Sequence, residues 1–288
     1  MLRLATRGSA LARAQAALAA EALQRHTGAE TTLVIVQTTG DRQAEVPLDQ
    51  LPGQGWFTAE LERSVLEGRA DVAVHSAKDL PIAAGSAATA IALLRRGDPR
   101  DAAVTRDGTS LADLATGASV GTSSARRVAQ LQAAYPELKA VPMRGNVDTR
   151  LRKLDSGEVD ALLLAAAGLD RLGLGPRPVE RFDPREFVPA PAQGAIALQT
   201  VAGSQAAQLC AAAADTPTAV EVAAERAVLA ALGGGCLLPL GAYAKLDGDR
   251  LLLTAFLATE TGVRRSELSG SAADPVGLGE RVAAHLHG

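Results

Sequence analysis

Residues 120–127 read Val-Gly-Thr-Ser-Ser-Ala-Arg-Arg, and residues 4–9 read Leu-Ala-Thr-Arg-Gly-Ser. Both run from a short apolar segment through a tight, hydroxyl-bearing turn into an alanine-rich helical run. Leu2 to Thr6 reads as a strand, and the helix after it lasts about 18 residues to near Gly28, with Ser9 placed to cap its N-terminus. The helix after the second turn runs from Ala125 to Tyr135. A second pair of stretches repeats the echo. Gly68-Arg69-Ala70-Asp71 precedes VAVHSA, and Gly157-Glu158-Val159-Asp160 precedes ALLLAAA. The spacing between these anchors differs, so the pattern is a structural echo and not a clean repeat. Strands alternating with helices predict two α/β lobes with mainly parallel sheets. Two such lobes imply a cleft lined by helix N-termini, whose free N–H groups and dipole favour anions.

Outward from these anchors, Thr31 to Val36 reads as a buried strand from its β-branched run. Residues 37–55 lack periodicity and form a loop long enough to suggest function or disorder. A helix is predicted from Phe57 to Glu67 and a strand from Asp71 to His75. Pro184, Pro189 and Pro191 mark a hinge before the apolar strand that follows Gln193-Gly194. A helix from about Thr218 to Leu232 leads to Gly233-Gly234-Gly235-Cys236. Strands near 240–245, 251–258 and 263–268 and a helix from Asp274 complete a small α+β domain.

A chain of 288 residues fits about two domains by length alone. Lys plus Arg total 29 and Asp plus Glu total 32, a net charge of −3, which excludes a globally basic nucleic-acid binder. Apolar residues reach 47% but aromatics only 2%, so aliphatic packing must build the core and base-stacking platforms are not expected. No segment approaches the roughly 18 apolar residues of a membrane span. Arg3, Arg7 and Arg13 precede the first acid, Glu21, but Arg13 and Gln15 break any signal-peptide core, and a cytoplasmic, unprocessed chain is expected. Cys210 and Cys236 cannot build a disulfide framework, and the scattered His26, His75, His285 and His287 suggest no metal site.

Residues 126–153 carry Arg126, Arg127, Arg144, Arg150, Arg152, Lys139 and Lys153 against Glu137 and Asp148, a net charge of +5. A solvated basic face would account for such a run. Its placement at helix starts, where cations oppose the dipole, points instead to an anionic ligand. His75-Ser76-Ala77-Lys78-Asp79 lies where open α/β sheets place their ligands. Asp79 is a candidate acid, base or cation stabiliser, or the start of the Leu80-Pro81 turn. His75 reads as a hydrogen-bonded structural residue. Ser76 has no His-Asp partnership, which argues against a hydrolase triad. Cys236 is either a loop nucleophile or a small residue in a tight turn, and Cys210 reads as helix packing.

Taken in order, ATRGSALA (5–12), VHSAKDLP (74–81), GDPRDA (97–102), VGTSSARR (120–127), RGNVDTRLRKLDSGEVDALLLAAAGLDRL (144–172), PAPAQGAIAL (189–198), AAERA (223–227) and GGGCLLPLGAYA (233–244) resemble the porphobilinogen deaminases, or hydroxymethylbilane synthases. The resemblance implies three domains: 1–95 with 194–213, 99–189, and a cofactor-carrying 216–288. The first two would be similar to the lobes of periplasmic binding proteins. It implies a dipyrromethane cofactor held by a thioether to Cys236. It also implies the head-to-tail joining of four porphobilinogen molecules with loss of ammonia, then hydrolytic release of hydroxymethylbilane, a step of tetrapyrrole and heme biosynthesis. Carried over by motif, Arg7, Ser9, Arg126, Arg127, Arg144 and Arg150 would bind pyrrole carboxylates. Asp79 would contact pyrrole N–H groups and stabilise the azafulvene cation, while Ser76, Lys78, Thr122, Ser123, Ser124 and Gln193 would line the same cleft. A monomer with no metal, nucleic-acid or membrane partner is implied. The chain departs from the family at Gln50 and Gln54, where loop lysines are common, at Gln199, where an acid is usual, and in GGGCLLP, where EGGCQVP is typical. The competing class is a two-lobed solute-binding protein for an anionic small molecule, which would carry a secretion signal and lack the cysteine domain.

Overall fold

The structure of the protein, a computed structural model, describes residues 1–42, 57–82, 88–177, 179–234 and 238–287. The chain opens with β1 (Leu2–Thr6), α1 (Ala10–Thr27), β2 (Thr31–Ile35), α2 (Thr39–Arg42), α3 (Ala59–Leu66), β3 (Val72–Ser76) and β4 (Thr89–Leu93). It continues through β5 (Asp101–Thr105), β6 (Ser119–Gly121), α4 (Ala125–Ala134), β7 (Lys139–Val141), α5 (Val147–Asp155), β8 (Ala161–Ala165), α6 (Ala166–Arg171) and β9 (Glu180–Arg181). It closes with β10 (Ile196–Val201), α7 (Gln205–Ala212), α8 (Thr216–Ala231), β11 (Leu240–Asp247), β12 (Arg250–Thr259), β13 (Gly262–Ser271) and α9 (Pro275–His287). These elements fall into two compact units, Met1–Gly97 with Gly194–Ala219 and Asp98–Gln193 with Val220–Gly288.

The first unit is built on a sheet in the order β2-β1-β3-β10-β4. Its longest helix, α1, is fixed at both ends by local chemistry. The Ser9 hydroxyl accepts the Ala12 N–H, and Gly28, left-handed at φ 70°, returns its N–H to the Gln24 carbonyl. Ala12, Ala16, Ala19 and Leu23 repeat at helical spacing and face inward. Ala16, Ala19 and Leu23 pack with Leu4, Val72, Val74, Ile196, Leu198 and Cys210 on one face of the sheet. Leu61 and Val65 of α3 cover Ala5 and Ala73 on the other.

The second unit holds a sheet in the order β7-β6-β8-β5-β9. It also holds a meander, β11-β12-β13, packed against α8 and α9 around Ala224, Val228, Leu253, Leu278, Val282 and Leu286. The meander lies close to residues 188–189. The Ala242 N–H donates to Pro189 O, and a side chain at Gly241 would begin 2.5 Å from Val188 O, so only glycine fits there.

One expectation from the sequence is sharpened and one is corrected. The sheets are mainly parallel in strand direction, but each contains one opposed strand: β2, β1, β3 and β4 run the same way, and β10 is antiparallel to both β3 and β4. In the same way β7, β6 and β8 run parallel while β5 opposes β8 and β9. A parallel pair needs a crossover helix. β10 and β5 instead enter their sheets from the preceding unit. The strand β2, expected to be buried, is not. It pairs only with β1, and Leu33 and Ile35 are 43% and 46% exposed on this edge strand. The repeated Gly-x-x-Asp has one structural job in both units. Asp71 accepts the Arg3 N–H of β1 at 2.7 Å, and Asp160 accepts the Ser119 N–H of β6 at 2.8 Å. Each acid fastens the start of a central strand to its neighbour.

Candidate functional site

In the first unit the candidate residues gather at the C-terminal ends of β1 and β3. Arg7 follows β1, and its guanidinium lies over the Phe57 ring, 4.3 Å from the centroid. β3 ends at Ser76 and passes directly into a single 3₁₀ turn, Ala77–Asp79. That turn brings Asp79 to a small cavity lined also by Arg7, Gln15, Phe57, His75 and Ser76. Ser76 accepts a hydrogen bond from Gln15 Nε2 at 2.8 Å. Gln15 was not picked out by the sequence reading. The available signal was a polar residue in phase with the buried alanines of α1. Ser9 uses its hydroxyl as the α1 cap, and Lys78 and Asp79 are half-buried.

His75 is buried, with Nε2 3.0 Å from Gln199 Oε1. Gln199 Nε2 donates to Thr89 Oγ1, so its carbonyl oxygen faces the imidazole and His75 Nε2 carries the proton. Burial drives the His75 pKa down to about 4, against the opposing effect of the Gln199 hydrogen bond. His75 is therefore a neutral hydrogen-bond donor at neutral pH.

In the second unit the Thr122-Ser123-Ser124 turn is tied internally. Thr122 Oγ1 accepts the Ser124 N–H, and Ser124 caps α4 by accepting the Arg127 N–H. The Ser123 hydroxyl both donates to Met143 O and accepts the Met143 N–H, each at 3.0 Å. This joins the end of β6 to the segment after β7. Arg126 and Arg127 turn inward from α4 and are only 4% and 6% exposed. Both meet Asp101, a fully buried acid that opens β5. Gln193 Nε2 donates to the same carboxylate at 3.0 Å and to the Pro99 carbonyl. Burial alone would raise the Asp101 pKa, but the two guanidinium groups and Gln193 overcome it and hold the carboxyl far below its usual range. Cations at the start of α4 thus find part of their compensation inside the protein. The sequence quoted Asp101 within GDPRDA without giving it a role. The signal was an acid opening an otherwise apolar strand.

The cationic excess continues beyond this triad. Arg150 of α5 is half-buried and donates through Nε to Gly145 O at 2.8 Å. Its pKa falls to about 10, first through burial and then through repulsion from Arg127 and Arg144. Among the described residues no carboxylate pairs with Arg150. A guanidinium withdrawn from water beside two like charges fits a carboxylate-bearing ligand. Cys236, Gln50 and Gln54 lie outside the described residues. Cys210 is buried on α7, and burial pushes its thiol up to about 12, which leaves it without nucleophilic character at neutral pH.

Residues 2–208 match the family described as porphobilinogen deaminase, dipyromethane cofactor binding domain. Residues 219–288 match porphobilinogen deaminase, C-terminal domain. The chain belongs to the porphobilinogen deaminase family. It is 47% identical to the porphobilinogen deaminase of Acidothermus cellulolyticus, over 99% of this chain and 88% of that one. It is 45% identical to the porphobilinogen deaminase of Roseiflexus castenholzii, over 99% and 95% of the two chains. The ordered motif series thus identified the family correctly, and with it an enzyme, a transferase of tetrapyrrole biosynthesis. Among solved structures, a methionine-binding protein is similar at 14% identity and a TM-score of 0.47, over 74% of this chain and 89% of its own.

Proposed function

We propose that the protein joins four porphobilinogen molecules head to tail, releasing ammonia at each addition, and frees hydroxymethylbilane by hydrolysis. The observation that carries this reading is the arginine cluster of the second unit, where Arg126 and Arg127 share one internal carboxylate and Arg150, beside Arg127 and Arg144, is paired with no carboxylate among the described residues. Each pyrrole unit of the substrate bears an acetate and a propionate, so the growing chain gains two negative charges per addition. Fixed guanidinium groups answer that charge with strong, directional hydrogen bonds.

A bound dipyrromethane would supply the pyrrole carbon to which the first unit is joined. Its four carboxylates suit the same donor set, and Cys236 is assigned as its thioether anchor. Arg7, Arg126, Arg127, Arg144 and Arg150 take carboxylates. Ser9, Ser76, Lys78, Thr122, Ser123, Ser124 and Gln193 fix the segments that present them or add donors of their own. Asp79 accepts a pyrrole N–H and stabilises the positive charge that spreads over the substrate ring as ammonia leaves. The same carboxylate is placed in sequence to take a proton from the ring once the new bond has formed.

The test is incubation of the purified protein with porphobilinogen, measuring ammonia and hydroxymethylbilane together, alongside intact-protein mass spectrometry. Turnover with one covalent dipyrromethane per chain is expected. The Cys236→Ser variant should lose the adduct and Cys210→Ser should keep it. An adduct mapped to Cys210, or none at all in an inactive wild-type protein, would overturn the reading.

A further inference from the structure

Arg126 and Arg127 end on one internal carboxylate, which at first sight competes with any ligand they bind. The geometry is specific. Asp101 Oδ1 accepts from Arg127 Nε at 2.9 Å, Arg127 Nη2 at 2.7 Å and Gln193 Nε2 at 3.0 Å. Oδ2 accepts from Arg126 Nη1 at 2.5 Å. Main-chain carbonyls complete the hold, Leu163 O on Arg127 Nη1 and Val188 O on Arg126 Nη1. The plane of the Arg127 guanidinium is set by three hydrogen bonds. Arg126 is held only by Nη1, and among the described residues its Nε and Nη2 make no hydrogen bond.

We propose that Asp101 is a positioning residue for ligand carboxylates, acting through Arg126 and Arg127; this rests on the function proposed above. By charge alone Asp101 opposes an anion, since it cancels one of the positive charges. By orienting two long side chains in advance it removes an ordering cost that the ligand would otherwise meet. It also keeps two like-charged groups side by side with the free edge of Arg126 undisturbed. Positioning outweighs field here, because the carboxylate binds both arginines from one rigid strand while the unused donors stay available.

The two contributions have opposite signs, which makes the test direct. Asp101→Asn removes the charge at nearly constant shape, and Asp101→Glu keeps the charge but moves the carboxylate by one methylene. If Asp101 acted through its field alone, Asp101→Asn would tighten anion binding and Asp101→Glu would leave it unchanged. The proposal expects the reverse. Asp101→Asn should raise the KM for porphobilinogen about tenfold and Asp101→Glu about threefold, with a smaller fall in kcat per cofactor-loaded molecule. Intact-mass spectra should show a reduced loaded fraction. Calorimetric titration with butane-1,2,3,4-tetracarboxylate, which needs neither turnover nor cofactor, should give the same order of affinities at a temperature where each variant is folded. If Asp101→Asn does not fold, Asp101→Glu decides alone. Affinity for the tetracarboxylate that is unchanged in Asp101→Glu, or tighter in Asp101→Asn, would overturn the proposal. A wild-type protein that binds the probe but forms no hydroxymethylbilane would refute the functional reading while still judging Asp101.

Discussion

In the first sheet the strand register sets Ile196 opposite Ser76, and in the second it sets Asp101 opposite Ala165, the same place in an otherwise shared plan. The comparison extends along both strands. His75 and Gln199 of the first sheet occupy the places of Leu164 and Val104 in the second. Strand order and direction match throughout, and the acids that open β3 and β8 fasten the same neighbours. The apolar pattern therefore sets the scaffold, and the buried polar positions are free to differ. One unit spends them on a neutral histidine–glutamine pair beside the Asp79 turn. The other holds a charged triad with positive charge left over. The proposed chemistry leans along the same line, with the acid in one unit and four of the five carboxylate-binding arginines in the other.

The most disruptive way to break the comparison is to make the second sheet resemble the first at Asp101. Asp101→Ile would strand two buried guanidinium groups, and the loss of stability should reach about 3–5 kcal/mol in chemical denaturation. A loss below about 1 kcal/mol would mean that the triad is not compensating buried charge. Next in size is Asp79→Asn, in the unit that carries the acid. Turnover should fall about 100- to 1000-fold with cofactor loading intact, read by single-turnover kinetics on the loaded protein. The lesser effect expected of the matched position, Gly168→Asn on α6, would be on stability alone.

The third test gives the first sheet the residues of the second. His75 is depressed from 6.5 to about 4 by burial. The unfolded chain binds a proton in that interval that the folded chain refuses, so stability should decline as pH falls from about 6.5 toward 4, by about 3 kcal/mol in full. The double change His75→Leu with Gln199→Val should abolish that decline. At pH 8 it should cost about 1–3 kcal/mol, because histidine and glutamine are removed together but buried Thr89 loses the Gln199 donor. Persistence of the decline in the double variant would assign it to other groups. The smallest effects concern the two helix caps. Ser9→Ala and Ser124→Ala should each cost about 1 kcal/mol, measured by thermal melting, and each should also raise the KM for porphobilinogen.

What the sequence disclosed follows the range of the interactions involved. The limits of α1 were legible because Ser9 and Gly28 act within one turn of themselves. The helices after the two hydroxyl-rich turns, the meander and the family motifs were legible for the same reason. The direction of the opposed strands was not, since β10 and β5 acquire theirs from partners far along the chain. The Arg126–Arg127 pair was visible as charge, but its counterion lies 25 residues upstream of Arg126 and is recognised only once β5 sits beside β8. Gln15 and Ser76, separated by 61 residues, were invisible as a pair for the same reason.

The place of β10 between β3 and β4 has a consequence for how the protein is made. On the ribosome β3 emerges with one edge unpaired, and its partner there, β10, follows only after roughly 120 further residues, or about 6–25 s at roughly 5–20 residues per second. Every strand of the second five-stranded sheet, from Asp101 to Arg181, is synthesised within that interval. The usual N-terminal-first order is thus inverted: the inserted lobe completes its sheet while the apolar edge VAVHS waits. An apolar strand edge that waits in this way is a template for pairing between nascent chains. Expression yield should therefore depend on translation speed through residues 100–200, and on chaperones that shield that edge, more than on the stability of the finished enzyme.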